Sequence, residues 1–194
     1  MQFDAVHDTQ RVFRALLKAV SFPGSLGSLA REAAGIDAWA SVNRALVAVA
    51  LTLLDAETSF CVWPRDAEAE TRLLSQLTYG RPAAPQDALY HFVLRTANAA
   101  EALRGASVGT LVEPHLGATV VMEADELTHQ GAWTLRGPGI NGTASLGVRG
   151  LPPEIAAVRA ERCAEYPLGI DLFLIDRSGR LAALPRTTRV QVEA

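Results

Sequence analysis

Residues 170–175 read Ile-Asp-Leu-Phe-Leu-Ile, a strongly apolar segment in a chain of 194 residues. Four apolar residues in a row, with almost no polar alternation, are typical of a strand buried on both faces of a sheet. The turn at residues 177–180 (RSGR) leads into residues 181–184 (LAAL), so the pattern predicts a hairpin partner for this strand. We therefore expect residues 172–175 to form the centre of the sheet.

Two apolar helices are predicted upstream of this strand. Residues 42–54 are apolar nearly all round, with only Arg44 charged and Ser41 placed as the N-cap, so this helix must be covered on most of its faces. Asp8 can cap a helix that runs to Val20. We expect one side of that helix to carry its apolar residues: Val12, Phe13, Leu16, Leu17 and Val20.

The remaining patterns alternate between helix and strand. Strands or extended segments are predicted at residues 58–63, 89–94, 109–113, 118–123 and 132–136, with an edge strand at 189–192. Helices are predicted at residues 66–77, 97–103 and 152–164, and a glycine-rich loop at 137–150. Because no repeat or low-complexity linker interrupts this order, we predict one α/β domain over residues 1–194. Its architecture is a three-layer αβα sandwich with a mixed sheet.

Charge and hydropathy exclude two classes of partner. The formal net charge of −3 and the pI of about 5.8 give no basic footprint for nucleic acid. The longest apolar run, residues 45–54, is half of the roughly 20 residues that a membrane-spanning helix needs. An N-terminus without a basic segment, together with two widely spaced cysteines, predicts a cytoplasmic protein.

Motifs for stand-alone catalysis are missing from the sequence. Residues 137–142 match GxGxxG, but no helix is predicted to open there, so a glycine-rich surface loop is the better interpretation. No P-loop or nucleophile elbow occurs, and the four histidines show no metal-ligand spacing, so we predict no metal site. Lys18 is the only lysine, and its place on a polar helix face argues against a pyridoxal-phosphate cofactor.

The segment after the last apolar strand carries the most suggestive side chains. Arg186, Thr187 and Thr188 offer a guanidinium and two hydroxyls at the end of a sheet, a combination that suits phosphate oxygens. The alternative is that this segment pairs with acidic groups of the same or a neighbouring chain. Asp171 and Glu57 are further candidate ligand-binding residues, and Glu57 has the alternative role of capping a loop.

A basic stripe is predicted on the first helix. Arg11, Arg14 and Lys18 are spaced three and four residues apart, which places them on one side of the helix. We interpret this stripe as a candidate partner or dimer surface. A solvated face and a phosphate contact remain as alternatives.

Several short strings stand out along the sequence, at residues 13–24 (FRALLKAVSFPG), 51–55 (LTLLD), 57–58 (ET), 109–110 (GT), 113–114 (EP), 117–119 (GAT), 135–140 (LRGPGI), 166–172 (YPLGIDL), 184–188 (LPRTT) and 190 (V). Together these strings resemble one known family, the H subunit (PhnH) of the carbon–phosphorus lyase complex. They follow the family order over nearly the whole chain, and the last two longer strings are the most specific. Residues 66–106 match weakly.

The resemblance implies a fold similar to the large domain of pyridoxal-phosphate-dependent transferases, without the cofactor site. It also implies a homodimer that assembles with the G, I and J subunits. With the G, I and L subunits, the family takes part in transferring the ribose triphosphate of ATP to an alkylphosphonate. The resemblance supplies no catalytic residue.

Overall fold

The computed structural model describes residues 3–37, 42–94 and 96–192. Six α-helices form within these ranges: α1 (His7–Ser21), α2 (Ala30–Ala33), α3 (Arg44–Leu53), α4 (Glu68–Thr78), α5 (Ala99–Gly105) and α6 (Ile155–Arg162). The strands are β1 (Gly27–Ser28), β2 (Ser59–Trp63), β3 (Arg81–Pro82), β4 (Tyr90–Val93), β5 (Thr119–Ala124), β6 (Glu126–Arg136), β7 (Ala144–Arg149), β8 (Asp171–Asp176), β9 (Arg180–Leu184) and β10 (Arg189–Val192).

Seven of these strands form one mixed sheet in the order β1-β9-β8-β5-β4-β2-β3. Strands β3, β2, β4, β5 and β8 are parallel, whereas β9 runs antiparallel to β8 and β1 antiparallel to β9. The predicted α/β class and mixed sheet are therefore confirmed. Both outer strands are only two residues long, and β3 contains Pro82, which has no N–H to donate.

The predicted central strand lies inside the sheet, where its side chains enter two separate hydrophobic cores. Phe173 and Ile175 pack into the core that α1 to α4 cover. Leu172 and Leu174 pack into the core on the other face, beside α5 and α6. Burial on both faces explains why this segment shows no polar alternation.

A second sheet, in the order β10-β6-β7, completes the layer on the α5 and α6 side. The sequence did not predict it. Residues 137–143 form a loop as expected, but the prediction of a loop up to Gly150 is wrong because β7 pairs with β6. The predicted edge strand at residues 189–192 is confirmed, although it lies at the edge of this smaller sheet.

Three details of the predicted helices need correction. Asp8 does not cap α1, because the helix begins at His7 with Val6 at the N-cap position and Asp8 lies within the first turn. Only part of the apolar surface of α1 is buried, since Val12 and Leu16 face the core while Phe13 and Leu17 remain exposed. Helix α3 begins at Arg44, and its cap is Asn43, whose side-chain oxygen accepts a hydrogen bond from the N–H of Ala45 at 2.9 Å. Ser41, the predicted cap, lies outside the described residues. Within the described ranges, no helix has the length and apolar character needed to cross a membrane.

Candidate functional site

The parallel strands give the main sheet an amino edge and a carboxyl edge. Strands β2, β4, β5 and β8 all begin at the amino edge, and β8 starts there at Asp171. The candidate residues Asp171, Arg186 and Glu57 lie at this edge or in the loops beside it. In open α/β sheets, ligands bind at the carboxyl edge.

Arg186 and Asp171 form an ion pair at the start of β8. The Nη2 atom of Arg186 lies 2.7 Å from Oδ2 of Asp171, and its Nε atom lies 3.2 Å from the same oxygen. The backbone N–H of Arg186 donates to Oδ1 of Asp171 at 2.7 Å. The sequence therefore identified two residues that do meet, as an ion pair within one chain.

The guanidinium of Arg186 also joins two loops. Its Nη1 atom donates to the carbonyl of Pro114 at 2.8 Å, and its Nη2 atom lies 3.4 Å from the carbonyl oxygen of Gly117. A Cβ atom on Gly117 would lie 2.8 Å from Nη1 of Arg186 and 2.5 Å from the carbonyl oxygen of Gly169. Position 117 therefore requires glycine. We define the Arg186 cluster as Arg186, Asp171 and the two loop carbonyls, of Pro114 and Gly117, that accept from Arg186. Its donors are directed inward, so a phosphate bound by Arg186 would have to replace these internal bonds.

The two threonines of the predicted phosphate-binding segment lie in different environments. Thr187 is exposed, whereas Thr188 is buried and its hydroxyl has no hydrogen-bond partner among the described residues. Both threonines belong to the turn at residues 185–188, where the N–H of Thr188 donates to the carbonyl of Pro185 at 2.8 Å. Arg159 is 1% exposed and stabilises this turn by donating to the carbonyls of Thr188 at 2.8 Å and Leu184 at 3.0 Å. Burial lowers the pKa of Arg159, and the neighbouring Cys163 and Asp171 oppose that shift.

Sequence reasoning missed Arg159. Its signal was available, because Ile155, Val158 and Arg159 are spaced so that they share the buried face of α6. An arginine on an apolar helix face indicates a buried group with carbonyl partners to satisfy. Arg159 supplies donors to the segment that contains Arg186.

Glu57 is separate from the Arg186 cluster. It is exposed in the loop between α3 and β2, where its carbonyl accepts a hydrogen bond from Nη2 of Arg81 at 2.6 Å. Strands β4 and β5 lie between β2 and β8, which places Glu57 and Asp171 roughly 14 Å apart along the sheet. The structure therefore does not bring these two candidates together.

The basic stripe on α1 divides into one internal and two exposed residues. Arg11 pairs with Asp8 and, at 3.2 Å, with Glu32, and both carboxylates are buried. Hydrogen bonds from the backbone of Asp4 and from Arg11 lower the pKa of Asp8. Arg14 and Lys18 remain exposed. Arg11 therefore links α1 to α2. Of the three basic residues of the stripe, Arg14 and Lys18 are the ones available to a partner.

Exposed apolar side chains form two surfaces. The α1 surface consists of Phe13, Leu17, Val20 and Phe22, which lie beside the exposed Arg14 and Lys18. The loop surface consists of Leu111, Val112, Leu116 and Tyr166, with Val112 89% and Tyr166 76% exposed. The loops that carry the second surface are those held by the Arg186 cluster, since Arg186 contacts both Pro114 and Pro167. Exposed apolar groups in such clusters mark interaction sites.

The carboxyl edge of the sheet contains a cleft, lined by both alanines and charged side chains, that the sequence did not predict. It lies between the ends of β5 and β8 and the start of α3, with a volume of about 360 Å³. Its polar lining comes from Asn43, Arg44, Glu123, Arg177 and Ser178. We call it the Glu123 cleft. These residues come from three distant parts of the chain, and only the position of Glu123 at the end of a predicted strand gave a signal.

The surroundings of Glu123 shift the pKa of its carboxyl group. Partial burial raises the pKa of its carboxyl, while a hydrogen bond from Asn43 and the nearby charge of Arg177 act in the opposite direction. The neighbouring Asp176 is buried and its oxygens are occupied by backbone N–H groups of Leu127, Ser178 and Arg180. Asp176 therefore shapes the turn between β8 and β9, and Glu123 is the carboxylate that faces the cleft.

His91 is buried in the sheet, whereas Lys18 lies on the surface. His91 is fully buried, where its Nδ1 atom accepts a hydrogen bond from Trp63 at 3.0 Å and Nε2 donates to the carbonyl of Pro85 at 3.1 Å. Burial lowers the pKa of His91 to about 4, so it is neutral at pH 7. Lys18 is exposed on α1. In the part of the chain that the structure describes, no three His, Cys, Asp or Glu side chains are arranged to hold a metal ion.

Comparison with known proteins gives a match along almost the whole chain. Residues 2–191 match the family model described as bacterial phosphonate metabolism protein (PhnH). A protein of Rhizobium meliloti (strain 1021), named alpha-D-ribose 1-methylphosphonate 5-triphosphate synthase subunit PhnH, is 32% identical over 194 residues, covering 98% of this chain and 94% of that protein. The putative C-P lyase subunit protein HtxG of Stutzerimonas stutzeri is 34% identical over 185 residues, covering 95% and 86%.

Proposed function

Because the chain belongs to the PhnH family of bacterial phosphonate metabolism proteins, we propose that it works as a non-autonomous subunit of a carbon–phosphorus lyase assembly. The observation that carries this proposal is the match over nearly the full length to two proteins that are both named as subunits. In this role the chain contributes surfaces to the assembly and leaves the chemical steps to other proteins.

The distribution of exposed side chains supports an assembly role. The α1 surface joins apolar groups such as Phe13 and Leu17 to the cationic Arg14 and Lys18. Protein interfaces combine an apolar centre with a polar rim in this way. The loop surface adds Val112 and other apolar groups on loops that are hydrogen-bonded to Arg186. Each surface suits a partner with an apolar groove, and acidic groups would match the rim of the α1 surface.

The finer form of the proposal follows the family resemblance. The partners are the G, I and J subunits in a cytoplasmic complex, and the free chain forms a homodimer. With the G, I and L subunits, the chain supports transfer of the ribose triphosphate of ATP to an alkylphosphonate. The fold is of the kind found in the large domain of pyridoxal-phosphate-dependent transferases. It works without that cofactor, since the lone Lys18 is exposed on a helix.

Co-purification from cells tests the assembly role. The tagged chain, expressed in its own host during growth on methylphosphonate, should retain other phosphonate-metabolism proteins through a purification. The double substitution Phe13→Ser and Leu17→Ser should remove those proteins, because it replaces the centre of the α1 surface. Recovery of the wild-type chain without any such partner would contradict the proposal.

A matched control separates the loss of this surface from a general loss of exposed apolar area. Tyr79 is 78% exposed and ends α4 with a φ of 62°, a backbone conformation that asparagine tolerates well. The substitution Tyr79→Asn should leave co-purification unchanged. Equal loss of partners in both variants would show that the α1 surface is not the docking site.

Direct phosphate binding by Arg186, Thr187 and Thr188 stays an alternative function for the same chain. Thr187 offers the cleanest test, because its side chain is exposed and its loss leaves the Arg186 cluster intact. Under this alternative, Thr187→Ala weakens binding of inorganic phosphate or a phosphonate, measured by calorimetry, without changing the unfolding midpoint. Unchanged affinity would remove the threonine from the proposed cradle. An absorption band of a Schiff base in the purified chain would contradict the expected absence of pyridoxal phosphate.

A further inference from the structure

Helix α1 carries apolar side chains on two of its sides. Val12, Leu16 and Ala19 are buried against the rest of the chain. A second row lies on the outer side, where its four apolar members are between 38% and 73% exposed. We call this row the outer seam, and it consists of Val6, Gln10, Phe13, Leu17 and Val20. The N–H of Gln10 donates to the carbonyl of Val6 at 3.3 Å, so Val6 belongs to the first turn of the helix.

The spacing of the outer seam is that of a helix–helix contact. Its residues alternate between steps of four and three along the sequence, which is the repeat that keeps side chains facing a second helix in a coiled coil. The buried side of a helix in a globular protein carries a wider apolar stripe than such a strict repeat gives. From Val6 to Val20 the seam is about 21 Å long. One further helix is the element that fits a line this narrow and this long.

The charges beside the outer seam are positive. Arg14 and Lys18 are exposed there, and neither forms an ion pair within the residues that the structure describes. The acidic groups of the same helix region are already paired, since Asp8 binds Arg11 and Asp4 binds His7. The flank therefore offers two cations one turn apart that the described chain does not neutralise.

The position of Arg14 argues against a second copy of the chain as the occupant of the outer seam. Arg14 lies next to Phe13, the middle residue between Val6 and Val20. A twofold pairing of α1 with its own copy would bring two Arg14 side chains together near the centre of the contact, and like charges that face each other are unfavourable. The homodimer expected from the family resemblance would then use another surface.

We propose that the outer seam packs against one amphipathic α-helix of a different subunit, whose apolar residues repeat at the same spacing and whose acidic residues face Arg14 and Lys18. Gln10 lies among four apolar residues, and a single polar side chain in such a seam fixes the register of the two helices. The partner helix therefore carries a polar residue opposite Gln10. This inference rests on the proposed assembly role and names the kind of element that the role requires.

Zero-length cross-linking tests the charge pairing, because Lys18 is the only lysine of the chain. A carbodiimide joins a lysine amine directly to a carboxylate. In the assembly purified through a lysine-free tag on this chain, it should join Lys18 to an Asp or Glu of another subunit. Mass spectrometry identifies the linked peptide, which should show apolar residues at steps of three and four. Lys18→Arg keeps the charge but removes the amine, so it should abolish the cross-link and leave co-purification unchanged.

Charge reversal tests the same contact through binding. Arg14→Glu combined with Lys18→Glu should lower the yield of co-purified partner by about tenfold, because two attractive pairs become repulsive. Raised salt should lower the yield with the wild-type chain, since exposed ion pairs are screened. The matched control is Arg72→Glu combined with Arg104→Glu. These residues are exposed on α4 and α5, so the control makes the same change in net charge elsewhere and should leave the yield unchanged.

Three results would each overturn the inference. Lys18 forms no cross-link or links only to a second copy of the chain, the linked peptide lacks the expected apolar spacing, or charge reversal lowers the yield no more than its control. Thermal unfolding of each variant confirms that the fold is retained. If partners still co-purify with the wild-type chain, any of these results leaves the assembly role intact. A wild-type preparation without partners contradicts both, so the two failures are distinguishable.

Discussion

The two edges of the main sheet use charged side chains in opposite ways. At the amino edge, Arg186 and Asp171 spend their hydrogen bonds on each other and on loop carbonyls. At the carboxyl edge, Glu123 and Arg177 line an open cleft, and the side chain of Arg177 remains 75% exposed although it pairs with Asp125. A sequence string rich in polar groups therefore does not locate ligand chemistry by itself. What matters is whether the fold has already satisfied those groups.

Removal of Arg186 should produce the largest effect on stability. Arg186→Ala removes the guanidinium from the carboxylate of Asp171 and from the carbonyl of Pro114 but keeps the backbone N–H bond to Asp171. Because the ion pair is only partly buried, we expect a loss of about 3 kcal/mol. Urea unfolding of the wild-type chain and the variant measures this change. Arg14→Ala, on the exposed side of α1, is the control and should stay within about 0.5 kcal/mol. A loss below about 1 kcal/mol for Arg186→Ala would show that the amino edge is not saturated in the way described.

Acid should lower the stability of the folded chain through His91, whose two ring nitrogens are both hydrogen-bonded inside the fold. Its pKa is about 4 in the folded chain against an ordinary value of 6.5, so its contribution to stability is fully present above pH 6.5. As the pH falls from 6.5 to 4 the unfolded chain takes up the proton first, and up to about 3 kcal/mol of stability is lost. Chemical unfolding at a series of pH values should show this slope in the wild-type chain. The slope should be weaker in His91→Asn, and an equal slope in both would contradict the prediction.

At the carboxyl edge, the substitution Glu123→Gln should raise the free energy of unfolding, whereas Arg186→Ala lowers it. The pKa of Glu123 is raised in the folded chain, so its stabilising contribution is present at low pH and is lost as the pH rises through that pKa. Glu123→Gln should therefore stabilise the chain at pH 7. The gain should be less than about 1 kcal/mol, because the group is only half-buried and solvent screens it. Destabilisation in the same urea experiment would mean that Glu123 is a structural group like Asp171.

The smallest effect on stability is expected at the α1 surface. Leu17→Ser removes an exposed apolar side chain, so the unfolding free energy should change by no more than about 0.5 kcal/mol. Retention of partners should nevertheless fall, as measured by co-purification. A larger loss of stability would show that Leu17 packs against the fold and does not serve a partner.

The main sheet and its central strand could be predicted because burial on both faces leaves a clear mark on residues 172–175. Strand β7 could not be predicted, since Gly142, Gly147 and Gly150 made residues 137–150 look like a loop. The glycine at position 147 has a packing cause. A Cβ atom there would collide with the hydroxyl of Thr128 on the neighbouring strand β6, a contact that no local pattern reveals.

The residues of the candidate sites, like the strands, were predicted only in part. The segment containing Arg186 stood out by its residue types, but its role depends on carbonyls of residues 114 and 117, about 70 positions earlier in the chain. The Glu123 cleft combines residues 30, 33–34, 43–45, 123 and 177–179, and no spacing rule links such distant positions. The apolar side of α1 was predicted as one face because helical periodicity shows which residues are apolar. Periodicity does not show how much of that face the rest of the chain covers.

The short outer strands of the main sheet restrict how this chain can join a larger particle. Strand β1 offers two residues for pairing and β3 offers two more, one of which is a proline. Continuous main-chain pairing across subunits needs a longer free strand, so growth into a shared sheet or a fibril is blocked at both ends. Association through the main sheet must then depend on the identity of contacting side chains. Contacts of that kind allow a subunit to recognise one neighbour and to be exchanged without unfolding.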